Sequence, residues 1–170
     1  MRKLISFIVA LALFSSNAFA KEMCFSRVYD KDHLRKHIHQ TVTAISFKME
    51  PGEIDGNKKT NETYYNLTVK VRGTQYTRQV YGVCTNSVGN AGYCVEAYIV
   101  DDGHLRVLSE DDVGSFSIYP FKDHIMLYLK EPYAAGRVRL WLEESGFEES
   151  TFLEAGQDDT EFKLYPTHCN

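Results

Sequence analysis

From Thr41 onward, apolar and polar residues alternate with a period of two in one short run after another. Tyr65, Leu67, Val69 and Val71 alternate with Asn66, Thr68, Lys70 and Arg72, and Ile45, Phe47 and Met49 alternate with Ser46 and Lys48. Successive side chains of a strand point to opposite faces, so this spacing puts one apolar face on each strand. Further strand-like runs cover residues 76–84, where Gly82 is a candidate bulge, then Tyr93–Val100, Leu105–Leu108, Phe116–Tyr119, Ile125–Leu129, Val138–Leu142 and Phe162–Tyr165. Gly, Asp or Pro bounds each run, and Asp102-Gly103 suits a tight turn. Short strands at close spacing predict an all-β fold, an antiparallel barrel or sandwich of about 8–10 strands. The helical period surfaces only between Asp30 and Gln40, where Leu34 and Ile38 stand four apart. That predicts one short N-terminal helix with Asp30 as its cap. The lack of long amphipathic helices between strands points away from a parallel α/β fold. The inward positions predict a core of Ile45, Phe47, Leu67, Val69, Val71, Val95, Ile99, Phe116, Ile118, Ile125, Leu127, Leu129, Val138, Leu140 and Leu142.

The first twenty residues follow another logic. Arg2 and Lys3 precede an apolar run from Leu4 to Phe14, and Ala18-Phe19-Ala20 closes the segment. A charged start, a short apolar stretch and an A-x-A site read as a secretory signal peptide. The expected division is a signal peptide over 1–20 and a single disulfide-bonded β domain over 21–170. The address it predicts is periplasmic or secreted, and after signal removal the chain would not span a membrane. Asn61-Glu-Thr and Asn66-Leu-Thr are glycosylation sequons, which matter only in a eukaryotic source. Export also explains the four cysteines, because disulfides persist in oxidising compartments. Cys84 and Cys94 flank one hairpin loop, while Cys24 and Cys169 lie at the two ends of the domain. Spacing favours Cys84–Cys94 and Cys24–Cys169, with Cys24–Cys84 and Cys94–Cys169 as the alternative.

Charge narrows the partners. Beyond residue 20 the chain carries 17 Lys and Arg against 23 Asp and Glu, so the basic footprint of a nucleic-acid binder is missing. Between Arg139 and Lys163 there are eight acidic residues and no Lys or Arg. They read as solvated loops or as a docking surface for a basic envelope partner.

Candidate chemistry is sparse. His33 and His37 stand four apart on the expected helix and could hold a transition metal with a third ligand from elsewhere. The run H-L-R-K-H lacks the glutamate of a zinc protease, so metal binding without hydrolysis is the reading. The alternative is that both histidines cap and pack the helix, and no other cofactor is implied. Asp101-Asp102-Gly103 and Glu110-Asp111-Asp112 are acidic turns without calcium-loop spacing. Nucleophile elbows and phosphate-binding loops are absent, which points away from an enzyme. Arg137, Arg139 and Trp141 share one face of their strand, and His124, Met126, Tyr128 and Lys130 share one face of the strand before. If the two strands form a hairpin, Tyr128, Arg137, Arg139 and Trp141 make an aromatic and basic binding surface.

The N-terminal stretch resembles that of small exported alphaproteobacterial proteins, in which a cysteine precedes R-x-Y-D-x-x-H-L-x-x-H-P-x-Q-x-V. The chain matches at Cys24, Arg27, Tyr29, Asp30, His33, Leu34, His37, Gln40 and Val42 and departs at Ile38, where the pattern has proline. A second likeness covers Cys84, Cys94, Val95, Glu96 and the Asp-Gly turn at 102–103. The resemblance implies a periplasmic β domain and no particular activity. The function expected is a non-catalytic periplasmic binding module. Two narrower alternatives are a lysozyme-inhibitor-like protein, by fold-level analogy, and a metal-binding envelope protein using His33 and His37.

Overall fold

The computed structural model describes residues 22–51, 62–86, 92–99, 105–107, 114–130, 136–142 and 150–169. The segment 1–20, the acidic turns at 101–103 and 110–112, and the acids at 143–149 lie outside them. The strands are β1 Met23–Val28, β2 Val42–Pro51, β3 Glu62–Val71, β4 Thr77–Asn86, β5 Gly92–Ile99, β6 Leu105–Val107, β7 Ser115–Pro120, β8 Ile125–Tyr128, β9 Arg137–Leu142, β10 Ser150–Glu154 and β11 Glu161–Thr167. Eight of them, in the order β4-β3-β2-β1-β11-β8-β7-β5, close back on β4 as an antiparallel barrel. Closure satisfies the edges that an open sheet would expose, and it decides between the barrel and the sandwich that the pattern allowed.

An eight-stranded barrel has a lumen that side chains just fill. Here Phe47, Leu67, Phe116, Leu127, Phe162 and Leu164 are all fully buried. Phe116 meets Phe47 and Tyr65 edge-on at 5.9 and 5.0 Å between ring centroids, the geometry aromatic quadrupoles favour. The expected core follows the alternation, with two departures. Val95 is buried as expected, though in a second small cluster with Val83 and Ala97. Val71 and Leu142 are only half-buried at their strand ends. The side chain of Ile99 lies outside the described residues.

Gly82 does not mark a bulge, for β4 stays in register with β3 throughout. It marks a fork. Beside Gly82, β5 pairs with β4 up to Glu96 and then turns away to pair with β6. β9 fills the place β5 leaves. Its Trp141 and Leu142 pair with Gln79 and Arg78 of β4, and its Val138 bridges Gly114 next to β7. A Cβ on Gly82 would stand 2.0 Å from the Val95 carbonyl oxygen and 2.6 Å from the Tyr65 ring. Only a bare backbone lets the strands part there. β10 pairs with the far edge of β9, and Val138, Leu140 and Leu153 of this hairpin join the main core.

The expected pairing of the strands carrying Tyr128 and Trp141 is not made. β8 pairs with β7 and β11, whereas β9 pairs with β4 and β10. A tight turn through Lys122 and Asp123, closed by the Phe121 amide on the His124 carbonyl at 2.8 Å, commits β8 to β7. β11 then takes the remaining edge of β8.

The helix α1 spans Lys31–Lys36, and the Asp30 carboxylate accepts from the His33 amide at 2.7 Å, so Asp30 is the expected cap. Its last carbonyls are met from outside. The Arg72 guanidinium donates to the carbonyls of Leu34, His37 and Ile38, which satisfies the orphan acceptors of a helix end. Both favoured disulfides are present, Cys24–Cys169 and Cys84–Cys94. They point to an oxidising, extracytoplasmic compartment.

Candidate binding face

Three polar or aromatic clusters stand out from the apolar barrel. The first ties α1 to the barrel mouth. His33 and His37 stack at 4.3 Å between centroids and 17° between planes, and Tyr29 lies 4.8 Å from His33. The His33 Nε2 is 2.9 Å from Gln40 Oε1, and the Gln40 amide donates to the Val42 carbonyl at 2.7 Å. His37 Nδ1 lies 3.7 Å from an Asp158 oxygen. Asp159, expected among solvated acids, is instead buried, and it accepts from the Thr41 amide and hydroxyl, each at 2.6 Å. A carboxylate so placed satisfies backbone donors at the start of β2. His33 and His37 do adjoin, but among the described residues the close group of three ligand types is Glu22, Cys24 and Cys169. The two sulfurs of that group are bonded to each other. The geometry at the histidines is that of packing and hydrogen bonding.

The second cluster sits at the fork. The Trp141 Nε1 donates to Glu96 Oε1 at 2.7 Å, and the Arg139 Nε donates to Oε2 at 3.3 Å. Glu96 is buried and Arg139 half-buried, with the guanidinium 4.8 Å from the Trp141 ring centroid. A buried carboxylate must be paired, and here its partners come from the strand that replaces β5. Arg139 and Trp141 therefore turn to Glu96 on the face of β9 opposite its core residues Val138 and Leu140, while Arg137 covers Phe152 at 4.8 Å. Tyr128 is on another wall. The four residues expected to form one surface are divided between two.

Burial leaves its mark on two phenols. Desolvation pushes Tyr29 from its ordinary 10.0 up to about 12, with Arg27 pulling partly back. Tyr65, enclosed in the lumen with no hydrogen-bond partner for its hydroxyl, is raised well above the same value by burial and by the charge of Glu96. A folded value above the unfolded one favours the fold in full below pH 10, and that contribution is lost as pH climbs toward 12. In an alkaline titration, the phenolate absorbance of two of the 11 tyrosines should lag, then emerge with unfolding between about pH 10 and 12. Ionisation of every tyrosine near pH 10 in a still-folded chain would contradict that assignment.

The third cluster faces solvent. β7, β8 and β11 are neighbours, and their outward positions line up through the register. Tyr119 faces Met126, which faces Lys163, and Tyr128 faces Glu161. Tyr119 and Tyr128 meet edge-on at 5.3 Å. At the turn end, Phe121 stacks flat on His124 at 4.6 Å and 2°, and His124 lies 6.3 Å from Tyr165. The Lys163 ammonium stands 5.4 Å from the Tyr165 centroid. The imidazole also bonds Asp123 at 2.7 Å, which holds that carboxyl below its usual range. Of the expected surface residues only Tyr128 belongs here. His124, Met126 and Lys130 carried a readable signal, since they share its strand face. Phe121, Tyr119 and Tyr165 did not, because nothing in the pattern said that β7 and β11 flank β8.

Compared with known protein families, with curated proteins and with solved structures, the chain matches none.

Proposed function

We propose that the protein is an exported, non-catalytic binding module of the cell envelope, with the periplasm as its address and the aromatic face on β7, β8 and β11 as its contact surface. One observation carries the reading. The lumen is packed with side chains, while Phe121 and Tyr165 are left 54% and 42% exposed beside a run of further rings. Aromatic side chains bring much contact area at low entropic cost, and interfaces concentrate them.

Oxidative footprinting tests it. Added envelope fraction should shield Phe121 and Tyr165 and leave Tyr76 and Tyr81, exposed on or near β4, as reactive as before. Uniform labelling would sink the proposal. The acid excess, with Glu154 and Glu161 exposed, favours a narrower second reading, a lysozyme-inhibitor-like protein. Its arm replaces the envelope fraction with a basic lysozyme at low and high ionic strength. Salt-sensitive complex formation supports that version, and no complex in either condition removes it.

A further inference from the structure

We infer that this face seats the protein on an anionic lipid leaflet, with Phe121 and Tyr165 entering the interfacial layer and the flanking lysines meeting headgroups. The inference rests on the face being the contact surface and names what it contacts.

Three features converge. The first is the apolar content. Val28 is 79% exposed, and it stands two residues along β1 from Ser26, the register partner of Tyr165. Val28, Tyr165 and Phe121 thus form one band of exposed apolar side chains on adjoining strands. The second is charge. Lys122 and Lys130 are exposed and Lys163 half-buried, and among the described residues none of the three is ion-paired. The nearby acids are Asp123, which His124 bonds and keeps ionised, and Glu161, so two carboxylates stand against three lysines. In a chain with more acid than base, this is a locally cationic patch. The third is shape. The outer wall of a closed barrel is convex, so it does not enclose a small molecule as concave sites do. Apolar knobs beside lysines suit a bilayer interface, where aromatic rings sit at headgroup depth and lysines are drawn to anionic lipid. Among the described residues no helix is long and apolar enough to cross a membrane.

The test is co-sedimentation of the oxidised protein with vesicles of phosphatidylcholine alone and of equal parts phosphatidylcholine and phosphatidylglycerol. Binding should be at least about tenfold stronger to the anionic vesicles and weaken with salt. Lys163→Gln should cost about fivefold, and Phe121→Ala and Tyr165→Ala should each reduce binding further. Both rings are exposed, so circular dichroism and the unfolding midpoint should stay near the parent's, and the two are made separately so that either serves. No binding to anionic vesicles, or binding indifferent to both ring substitutions and to Lys163→Gln, overturns the inference. If the vesicles fail while envelope fraction still shields Phe121 and Tyr165, lipid is the wrong partner and the binding reading stands. If neither shields them, both fall.

Discussion

Replacing Cys24 and Cys169 together by serine is expected to cost the fold about 5 kcal/mol. The bridge spans 145 residues of sequence across a Cα–Cα distance of 5.3 Å, so in the reduced, unfolded chain almost the whole domain becomes an open loop. The Cys84–Cys94 bridge spans 10 residues, which in the same loop-entropy treatment is worth about 3 kcal/mol. Its sulfurs are buried in the core cluster, so Cys84→Ala with Cys94→Ala adds the cost of a void. The two bridges should also differ toward reductant, because Cys24 and Cys169 are half-buried and Cys84 and Cys94 are enclosed. Domains of this size hold about 5–15 kcal/mol in total, and loss of the long bridge removes much of that. Guanidinium unfolding of protein recovered from an oxidising compartment measures both double variants. If the Cys24/Cys169 variant unfolds within about 1 kcal/mol of the parent, pairing of β1 with β11 alone holds the termini and the long-loop argument fails.

That bridge was legible in the sequence because it needs only two facts, where the cysteines lie and where the domain ends. The barrel strands were legible for a similar reason. Leu67 and Val69 are buried and Asn66 and Thr68 are not, which is what a period of two says of a wall with one wet face. β1 and β10 were missed. Met23–Val28 reads M-C-F-S-R-V, and the side of Phe25, its pair to Phe47, is shared with Arg27, so the alternation is broken. In β10, Ser150 through Glu154 buries only Leu153, too little apolar signal to mark a strand. The helix was foreseen with its cap but drawn longer, because Ile38, expected on its apolar face, is 66% exposed beyond the helix end.

The clusters were legible only in pieces. His33 and His37 adjoin as their spacing required, since four residues is about one helical turn. The approach of Asp158 to His37 and of Asp159 to Thr41 depends on how the segment before β11 meets this end of the barrel, which spacing does not encode. The assumed β8–β9 hairpin failed because neighbours in sequence are not always neighbours in a sheet. With β8 already held by β7 and β11, Arg139 and Trp141 were free to serve Glu96. Glu96 stands in the sequence only as part of the second likeness, with nothing to mark it as buried. It is buried because β5 leaves the barrel at that residue, and a departure from regular pairing has no periodic signature.

The fork yields the other large effect. Gly114→Ala should destabilise by about 3–5 kcal/mol, and Gly73→Ala by about 1–2 kcal/mol. Both glycines have positive φ, +81° at Gly114 and +78° at Gly73, so the conformational penalty of an L side chain is common to both. They differ in what a Cβ would meet. At Gly73 there is nothing within 4 Å, while at Gly114 the Arg137 carbonyl oxygen would stand 1.9 Å away. Backbone cannot step aside as a side-chain tip can. Relief requires β9 to retreat from β7, which would draw Arg139 and Trp141 off the buried Glu96 carboxylate. Trp141 is the chain's single tryptophan, so its emission reports that retreat directly. A red-shifted spectrum and faster amide exchange over β9 should accompany Gly114→Ala and be absent from Gly73→Ala. Equal losses in the two variants, with unchanged tryptophan emission, would mean that β9 can yield at Gly114 without disturbing Glu96, and that the fork is not held by this contact.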